Sequence, residues 1–270
     1  MYSVGVKSNA TALVIKDWTL SGMETLPCCG IKSPVHPGRR QKNRWLQTQL
    51  KKGLRAKFAF DADGHPCGYI EYVPGEYAWR GVSARGYMFV HCIWTFSKRA
   101  QSKGVASALL RACTEDAKRT GMYGVAALAR NGPWLASSAL FLKNGFKVVE
   151  TTDPDYELLV SKLNATAPNP TFTGNCEKRM KKYRTGLTII RSRQCPHVAK
   201  FADEIAEAAV REYGLTPKII ELKSHRDAQN APTPYAVFAI IYNGQLLADH
   251  QISRSRFRNI MRTLRVDKPA

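Results

Sequence analysis

The chain has 270 residues, 44% of them hydrophobic, and a formal net charge of +20. This length is typical of two domains, and this hydrophobic content supports packed cores. No stretch approaches about 18 uninterrupted apolar residues, which excludes a membrane-spanning helix, and no basic flank precedes an apolar N-terminal run, so we expect a cytoplasmic protein. The positive charge is spread over both halves of the chain rather than gathered in one tail, so we do not expect nucleic acid as a partner.

The cysteines are scattered along the chain at Cys28, Cys29, Cys67, Cys92, Cys113, Cys176 and Cys195. Because their number is odd and their spacing shows no repeated pairs, we expect reduced thiols rather than a disulfide framework. The adjacent pair Cys28-Cys29 lacks the spacing with which a C-x-x-C pair chelates one ion, so we expect no metal site. The pair is interpreted either as thiols that line a substrate pocket or as buried packing.

The first part of the chain predicts strands and helices that alternate around a mixed sheet, an α+β arrangement. Residues 26–38 are rich in Pro and Gly and must be irregular. The pair Asp63-Gly64 predicts a hairpin between two short strands. In chain order the predicted elements are a helix at 45–52, strands at 57–60, 67–73 and 87–96, a helix at 105–118, a strand at 123–129, a helix at 134–143, and strands at 146–150 and 156–162.

The second part begins after residues 166–174, whose Pro, Thr, Asn and Gly content predicts a linker. Beyond it, the pair Asn243-Gly244 predicts a second hairpin. The predicted elements are a strand at 187–191, a helix at 198–213, a strand at 218–222, hairpin strands at 235–242 and 246–252, and a helix at 256–264. Basic clusters at 39–44, 178–184 and 254–265 are interpreted as solvated surface.

A glycine-containing turn lies between the long strand at 87–96 and the amphipathic helix that follows it. Its residues are Gln101, Ser102, Lys103, Gly104, Val105 and Ala106. They place consecutive backbone N–H groups at the positive end of a helix dipole, which favours the binding of a pyrophosphate. Gly104 lets the backbone approach such a ligand closely. Together with a later helix that ends in Gly145-Phe146, this turn resembles the acetyl-CoA-binding core of the GNAT superfamily of N-acetyltransferases.

The resemblance implies an enzyme with an α+β GNAT fold and a mixed central sheet. It would transfer an acetyl group from acetyl-CoA directly to a primary amine of a small molecule or a protein. The elements after the linker resemble a smaller thioredoxin-like domain. We therefore divide the chain into an acetyltransferase domain at 1–165, a linker at 166–185 and a thioredoxin-like domain at 186–270. The combination is similar to the YoaP-like acetyltransferases, and it predicts neither the amine nor the oligomeric state.

The resemblance also implies which residues hold acetyl-CoA. Backbone N–H groups at the end of the long strand would stabilise the charge that develops on the thioester carbonyl. The implied cofactor-binding residues are Trp94, Thr95, Phe96, Gln101, Ser102, Lys103, Gly104, Val105, Ala106 and Asn131. One position departs from the pattern, because Phe141 stands where the superfamily often carries a tyrosine that protonates the leaving thiolate.

Three side chains are candidates for the base that removes a proton from the amine. His91 lies on the long strand and has the chemistry for proton transfer near neutrality, although a satisfied histidine on a sheet face is the alternative. Glu76 lies in a loop rich in aromatic residues, where substrate contacts gather, although an ion pair at a β-bulge would also account for it. Glu71 is the third candidate, with a solvent-facing position as its alternative. The predicted substrate pocket comprises Cys28, Cys29, Tyr77 and Trp79.

The thiol of Cys195 leads to a second hypothesis. At a helix N-terminus its pKa would be lowered and the thiol would be reactive. Val198 occupies the place of the second cysteine of a C-x-x-C, so a simple intramolecular dithiol cycle is not available. The thioredoxin-like resemblance implies that Pro234, in cis, packs beside this thiol. The alternative to the enzyme is therefore a non-catalytic acyl-CoA or thiol-redox sensor that uses Cys195. A monothiol mechanism with glutathione-like thiols and a purely structural thiol also remain open.

Overall fold

The computed structural model describes residues 13–19, 22, 26–27, 29–31, 33–96 and 104–266. These residues form a seven-stranded sheet, a four-stranded sheet and a small two-stranded sheet, with helices packed around them. Four predicted site residues lie outside the described part of the chain: Cys28, Gln101, Ser102 and Lys103. In the part that is described, no helix combines the length and the apolar character needed to cross a membrane.

The larger sheet is mixed and belongs to the first part of the chain. Its strands are β1 Val14–Asp17, β2 Arg55–Phe60, β3 Pro66–Pro74, β5 Tyr87–Thr95, β6 Gly124–Arg130, β7 Lys147–Thr152 and β8 Tyr156–Lys162. Their order across the sheet is β1-β2-β3-β5-β6-β8-β7, and only the β5–β6 pair is parallel. Because parallel neighbours need a crossover connection, a helix, α2 Val105–Arg119, joins these two strands.

Helix α2 packs on one face of the larger sheet through the side chains whose spacing predicted it. Its buried apolar residues are Val105, Leu109, Leu110, Cys113 and Ala117. The helix approaches closely because β3 carries Gly68, where a Cβ would lie 2.5 Å from Cγ1 of Val105. Since Gly68 pairs with Thr95, the start of α2 lies beside the end of β5.

Helix α1, Pro37–Leu50, covers the opposite face of the sheet. It begins earlier than the predicted helix at 45–52, because Nδ1 of His36 accepts a hydrogen bond from the N–H of Gly38 at 3.1 Å. A proline in the first helical turn adds to this start signal. The predicted irregular stretch therefore ends at His36.

Helix α3, Ser138–Lys143, is shorter than the predicted helix at 134–143. It begins at its cap, where the hydroxyl of Ser137 accepts a hydrogen bond from the N–H of Ala139. The residues before the cap form an irregular lip after β6, in which Trp134 has a left-handed φ of 74°.

The second unit is a four-stranded sheet with helices around it. Its strands are β10 Leu187–Arg191, β11 Lys218–Glu221, β12 Phe238–Tyr242 and β13 Gln245–Ala248, and its helices are α4 Cys176–Met180, α5 Val198–Tyr213, α6 His225–Gln229 and α7 Arg254–Thr263. The order is β11-β10-β12-β13, with β10 and β11 parallel, and a hairpin turns at Asn243-Gly244 as predicted. The predicted element order is present, while its thioredoxin-like assignment stays a prediction. The peptide bond before Pro234 is trans rather than the cis form that the resemblance implies.

The two units share one core. A continuous cluster of buried apolar side chains extends from Trp45 and Leu46 of α1 to Val198 and Ile205 of α5. The segment predicted as a linker is also packed, because β9, Thr171–Phe172, pairs with β4, Val82–Ser83. The described residues therefore pack continuously across the proposed domain boundary.

Candidate active site

A cleft opens where the parallel strands β5 and β6 separate. Their ladder covers only four residue pairs, from Tyr87 with Gly124 to Val90 with Ala127. Beyond these pairs the two strands continue to Thr95 and Arg130 without bonding each other. Unpaired strand edges present a row of backbone N–H and C=O groups, so an extended ligand inserted between them has hydrogen-bond partners.

The described cofactor residues lie at this end of the sheet. Trp94 is half exposed on β5, and the N–H of Phe96 is bonded to the carbonyl of Cys67 at 3.0 Å. Gly104 caps α2 with a left-handed φ of 71°, and a Cβ there would meet no described atom within 4 Å. Val105 is buried beneath this turn and Ala106 is half buried. Among the described residues, no side chain therefore occupies the space beside the Cβ position of Gly104.

The other lip of the cleft carries Asn131 and Trp134. Asn131 is exposed directly after β6, and its side-chain oxygen accepts a hydrogen bond from the hydroxyl of Ser137 at 3.2 Å. The indole N–H of Trp134 donates to the carbonyl of Gln251 at 2.9 Å, and its ring packs on Phe201. Because Gln251 and Phe201 belong to the second unit, that unit holds this lip in place.

A β-bulge on β5 arranges the side chains beside the cleft. Cys92 pairs with Glu71 on β3, while Val90 pairs with Tyr72, so His91 is an extra residue in the ladder. A bulge inserts one unpaired residue and turns neighbouring side chains away from strict alternation. Nδ1 of His91 accordingly lies 3.5 Å from Oε1 of Glu71. His91, Cys92 and Glu71 therefore share the sheet face that α1 and the second unit cover.

Glu71 is the centre of a buried ionic network. Its Oε2 lies 2.6 Å from Nζ of Lys42 and accepts a hydrogen bond from the hydroxyl of Tyr69 at 2.7 Å. Burial by itself would raise the pKa of Glu71, but Lys42 and His91 outweigh it and hold that pKa well below its usual range. The sequence interpretation of residues 39–44 as solvated surface is wrong for Lys42 and Arg39, which are buried.

His91 is equally enclosed. Its Nε2 accepts a hydrogen bond from the backbone N–H of Trp79 at 2.9 Å. Burial lowers the pKa of His91 to about 4, although the neighbouring Glu71 acts in the opposite direction. The imidazole is therefore neutral at pH 7, and neither it nor the Glu71 carboxylate is exposed to the cleft.

This lowered pKa predicts how stability depends on pH. The folded-state pKa lies below the ordinary value of 6.5, so the unfolded chain takes up the proton first as the pH falls. The stabilisation by neutral His91 is complete above about pH 6.5 and is lost as the pH falls towards 4, which amounts to about 3 kcal/mol. Urea unfolding between pH 6.5 and 4 measures this effect. We expect the free energy of unfolding to fall more steeply with decreasing pH in the wild type than in His91→Gln.

Exposed His65 supplies the matched control for that experiment. Its side chain is 78% exposed in the β2–β3 hairpin, so His65→Gln replaces a histidine without removing a buried group. If His91→Gln retained the full wild-type slope between pH 6.5 and 4, the lowered pKa of His91 would be refuted.

Gln194 of the second unit completes the network around Glu71. Its side-chain N–H donates to Oε1 of Glu71 at 3.2 Å, and its side-chain oxygen accepts from Arg80 at 3.2 Å. Its backbone carbonyl accepts from Nζ of Lys42 at 2.5 Å. One residue of the second unit thus satisfies three charged groups of the first.

A second ionic cluster joins the units at the end of β6. The Arg130 guanidinium lies 2.8 Å from the carboxylate of Asp249, which also accepts a hydrogen bond from the hydroxyl of Tyr156 at 2.6 Å. Burial would raise the pKa of Asp249, but His250, Tyr156 and Arg130 together hold it well below its usual range. Asp249 is therefore ionised at neutral pH and ties the second unit to the cleft.

The structure does not bring Glu76 and Tyr77 to the cleft. Both follow β3, whose end at Pro74 pairs with Met88, whereas the cleft lies at the Thr95 end of β5. Six residues of strand separate these ends, a distance of about 20 Å. Glu76 is exposed there, and Tyr77 packs on the ring of His225.

Trp79 is a core residue rather than a pocket wall. It is 2% exposed, packs edge-on against Trp45 at 5.5 Å between ring centroids, and donates its indole N–H to Gln49. Its position in the predicted substrate pocket is therefore not supported by its burial. Phe141 is also buried, against Phe146, so its ring fills the core where a tyrosine hydroxyl was sought.

Three thiols converge from separate segments on the covered sheet face. The sulfur atoms of Cys29 and Cys92 are 3.9 Å apart. Cys195 lies between Gln194, which contacts Glu71, and His197, whose Nε2 is 2.9 Å from the carbonyl oxygen of Cys29. Burial raises the pKa of the Cys195 thiol to about 11 and outweighs a backbone hydrogen bond at His197, which is the opposite of the lowered pKa expected at a helix N-terminus and favours the structural alternative.

One group of oxygen and nitrogen ligands lies close together within the described residues. Ligand atoms of Asp61, Asp63 and His65 lie within 4.8 Å of one another in the β2–β3 hairpin. Asp61 accepts hydrogen bonds from the backbone N–H groups of Asp63 and His65, so the turn itself accounts for this arrangement.

Sequence reasoning missed Lys42, Gln194 and Asp249. Lys42 belongs to a basic cluster whose charge pattern is typical of surface, and only its neighbour Trp45 hinted at a buried helix face. Gln194 and Asp249 adjoin residues that the sequence singled out, but no local pattern marks a contact between distant segments. Gln194 and Asp249 acquire their ionic and hydrogen-bond partners only when the two units pack together.

Comparisons with known proteins agree with this architecture. Residues 26–146 match the Acetyltransferase (GNAT) family, and residues 218–259 match the YoaP-like family. The first unit is therefore a GNAT-family acetyltransferase domain, and the protein is an acyltransferase by class. The resemblance to both families that the sequence motifs indicated is confirmed.

A curated relative extends the similarity over nearly the whole chain. The "Uncharacterized N-acetyltransferase YoaP" of Bacillus subtilis (strain 168) is 27% identical over 88% of this chain and 93% of its own length. Among solved structures, yncA, a putative acetyltransferase from Salmonella typhimurium with its cofactor acetyl-CoA, has a TM-score of 0.44 at 17% identity over 58% of this chain and 98% of its own. The PaiA N-acetyltransferase from Thermoplasma acidophilum in complex with coenzyme A has a TM-score of 0.41 at 19% identity, covering 56% and 99%.

Proposed function

We propose that this chain transfers an acetyl group from acetyl-CoA directly to a primary amine, carried by a small molecule or a protein. The observation that carries this proposal is the separation of β5 and β6 beside the first turn of α2. The separated edges suit an extended pantetheine chain, and the N–H groups of the turn suit a pyrophosphate. A cytoplasmic location is part of the proposal and rests on the cysteine pattern of the sequence.

The thioester would lie along β5 near the bulge at His91. Attack by the amine places negative charge on the thioester carbonyl oxygen, which backbone N–H groups near Trp94, on the edge of β5 beyond its pairing with β6, would stabilise. In the proposal, Glu71 and His91 hold the bulge in shape rather than remove the proton themselves, because both are buried and hydrogen-bonded. The base is then solvent or a group that the bound amine brings close.

The acceptor amine would approach at the exposed Trp94 end of the sheet face that carries Cys92. Half-exposed Trp94 bounds this approach on one side, and Trp134 bounds it on the other. Because the second unit holds Trp134 and covers this face, it forms part of the acceptor site. Cys29 remains a proposed pocket residue on the basis of its contact with Cys92.

Acetyl-CoA binding is tested by thermal unfolding with a matched pair of glycine variants. At a concentration of 100 times its Kd, acetyl-CoA should stabilise the protein by about 2.7 kcal/mol. Gly104→Val should abolish this effect, because its side chain would project from the N-cap of α2, where the proposal places the pyrophosphate. Gly121→Val is the control: Gly121 also has a left-handed φ with no described atom near its Cβ position, but lies beyond the other end of α2, about 25 Å away.

Catalysis is tested by following the release of CoA thiol with a broad panel of primary amines. Binding with release supports the enzyme. Binding without release across the panel would favour the alternative, a non-catalytic acyl-CoA sensor, which the buried Phe141 at the expected acid position also suits. No stabilisation by acetyl-CoA would contradict both.

A further inference from the structure

The contact between Cys29 and Cys92 is a feature that acetyl transfer does not explain. Their sulfur atoms are 3.9 Å apart although the residues are separated by 63 positions in sequence. Cys92 lies on β5, between β3 and β6, whereas Cys29 lies in the irregular segment before α1, with a left-handed φ of 47°. One thiol of the contact therefore lies on a paired strand, and the other lies on an irregular segment.

This geometry suits a disulfide. The sulfur atoms of a disulfide are about 2.05 Å apart, so the two thiols must approach by about 2 Å. Cys92 is held in the β3–β5 ladder and Cys29 lies outside the strands of the sheet, so the proposed approach is made by the side chain of Cys29. No metal or further residue has to enter for the bond to form.

We propose that Cys29 and Cys92 form a dithiol modification site that small-molecule disulfides convert to an intramolecular disulfide. The Cys29 thiolate attacks one sulfur of oxidised glutathione and releases one glutathione thiolate. The Cys92 thiol then loses its proton to solvent and attacks the Cys29 sulfur, which displaces the second glutathione. Two protein thiols are oxidised, and one glutathione disulfide is reduced to two thiols.

Cys29 is the attacking thiol in this sequence. Its partner is held protonated, because the contact with Cys29 and burial raise the pKa of Cys92 well above its ordinary value. Conversion should therefore be slow at neutral pH and faster in alkaline solution, since the thiolate is the nucleophile.

The position of Cys92 connects the disulfide to acetyl transfer. Cys92 is the cross-strand partner of Glu71 and precedes Trp94 by two residues on the strand that forms the cleft. A Cβ on Gly30, next to Cys29, would lie 3.9 Å from the indole nitrogen of Trp94. A disulfide would therefore fix the segment of Cys29 and Gly30 over the acceptor approach and block transfer, an effect that rests on the proposed function.

Cys195 is the third thiol on this face, but it is not the partner. Its sulfur accepts a hydrogen bond from the side-chain N–H of Gln251 at 3.5 Å, and its backbone carbonyl accepts from the N–H of Val198 at 3.2 Å. These contacts hold it in the second unit. The proposed redox role thus belongs to Cys29 and Cys92 rather than to Cys195, and these two residues come together only in the folded protein.

The test treats the folded, full-length protein with oxidised glutathione and reads the product by mass spectrometry. We expect the loss of two hydrogen atoms and a cross-link between the peptides of Cys29 and Cys92. Cys29→Ser and Cys92→Ser should each prevent the link, while Cys28→Ser, Cys195→Ser and the distant control Cys176→Ser should retain it. Linked protein should release CoA thiol at least tenfold more slowly, with recovery in dithiothreitol.

Different failures have different signatures. No link in folded protein, or a link that Cys195→Ser removes, would overturn the modification site. A complete link with unchanged acetyl transfer would overturn its control of the reaction. If the reduced protein transfers no acetyl group at all but forms the link normally, the proposed function fails while the dithiol site stands, because the mass measurement does not depend on activity.

Discussion

Lys42→Met is expected to lower the free energy of unfolding by about 3–5 kcal/mol, the cost of leaving one partner of a buried ion pair alone. Methionine matches the length of lysine but leaves the Glu71 carboxylate without its cation. Tyr69 and Gln194 still donate hydrogen bonds to it, but neither carries a charge. Urea unfolding at pH 7 with circular dichroism measures the loss.

Two further variants make this expectation specific. Arg44→Met removes an exposed positive charge from the same helix and should change stability by less than about 0.5 kcal/mol. The double variant Lys42→Met with Glu71→Gln should recover a large part of the loss, because no uncompensated charge remains. If the double variant were less stable than Lys42→Met alone, the ion pair would not be the source of the effect.

The intact chain is expected to unfold in a single cooperative transition, and residues 1–185 produced alone are expected not to fold. Apolar side chains of α1 and α5 belong to one core, so removing the second unit exposes the first unit's half of that core. It also removes Gln194 from Glu71 and Arg80, at about 1–3 kcal/mol for each group left without its partner. Calorimetry of the intact chain and of residues 1–185 checks both statements.

A point variant tests whether contacts between the two units, rather than the shortening of the chain, cause the loss of stability. Gln194→Leu keeps the chain length and should lower the temperature of the single transition without splitting it in two. Two resolved transitions in the wild type, or cooperative unfolding of residues 1–185, would show that the units are independent domains after all.

The residues that stabilise the fold in these experiments also lie beside the proposed active site. The network around Glu71 supports the bulge of β5, from which the thioester would be held, and Gln194 brings the second unit into that support. The second unit is therefore part of the proposed acetyltransferase site. A separate role for it, centred on a reactive Cys195, is disfavoured by the pKa of that thiol, about 11.

Much of the fold was predictable from local patterns. The apolar spacing of residues 105–118 predicted α2, and the pairs Asp63-Gly64 and Asn243-Gly244 predicted two hairpins that the structure contains. Errors fell at helix starts, as at α1, where a histidine cap and a proline extend the helix into a stretch that composition marks as irregular.

The candidate site was predictable only in part. Gly104 and the end of β5 belong to one strand–turn–helix segment, so their proximity follows from chain order alone. The positions of the three predicted base candidates did not follow from chain order. His91 and Glu71 meet because a bulge shifts the register of β5 on β3, and Glu76 is carried to the far end of the sheet by the direction of β3. Register and direction are properties of the paired sheet, which no single segment encodes visibly.

The sequence alone determined the class of this protein, because the motifs of a GNAT acetyltransferase are local and depend on neighbouring backbone groups. Only the tertiary structure decided what surrounds the cleft. Lys42, Glu71 and Gln194 form one network, and Cys29 meets Cys92, through contacts between segments far apart in the chain. These contacts then decided their chemistry: Lys42 and His91 hold Glu71 ionised against the effect of burial, whereas burial holds His91 neutral and Cys195 protonated.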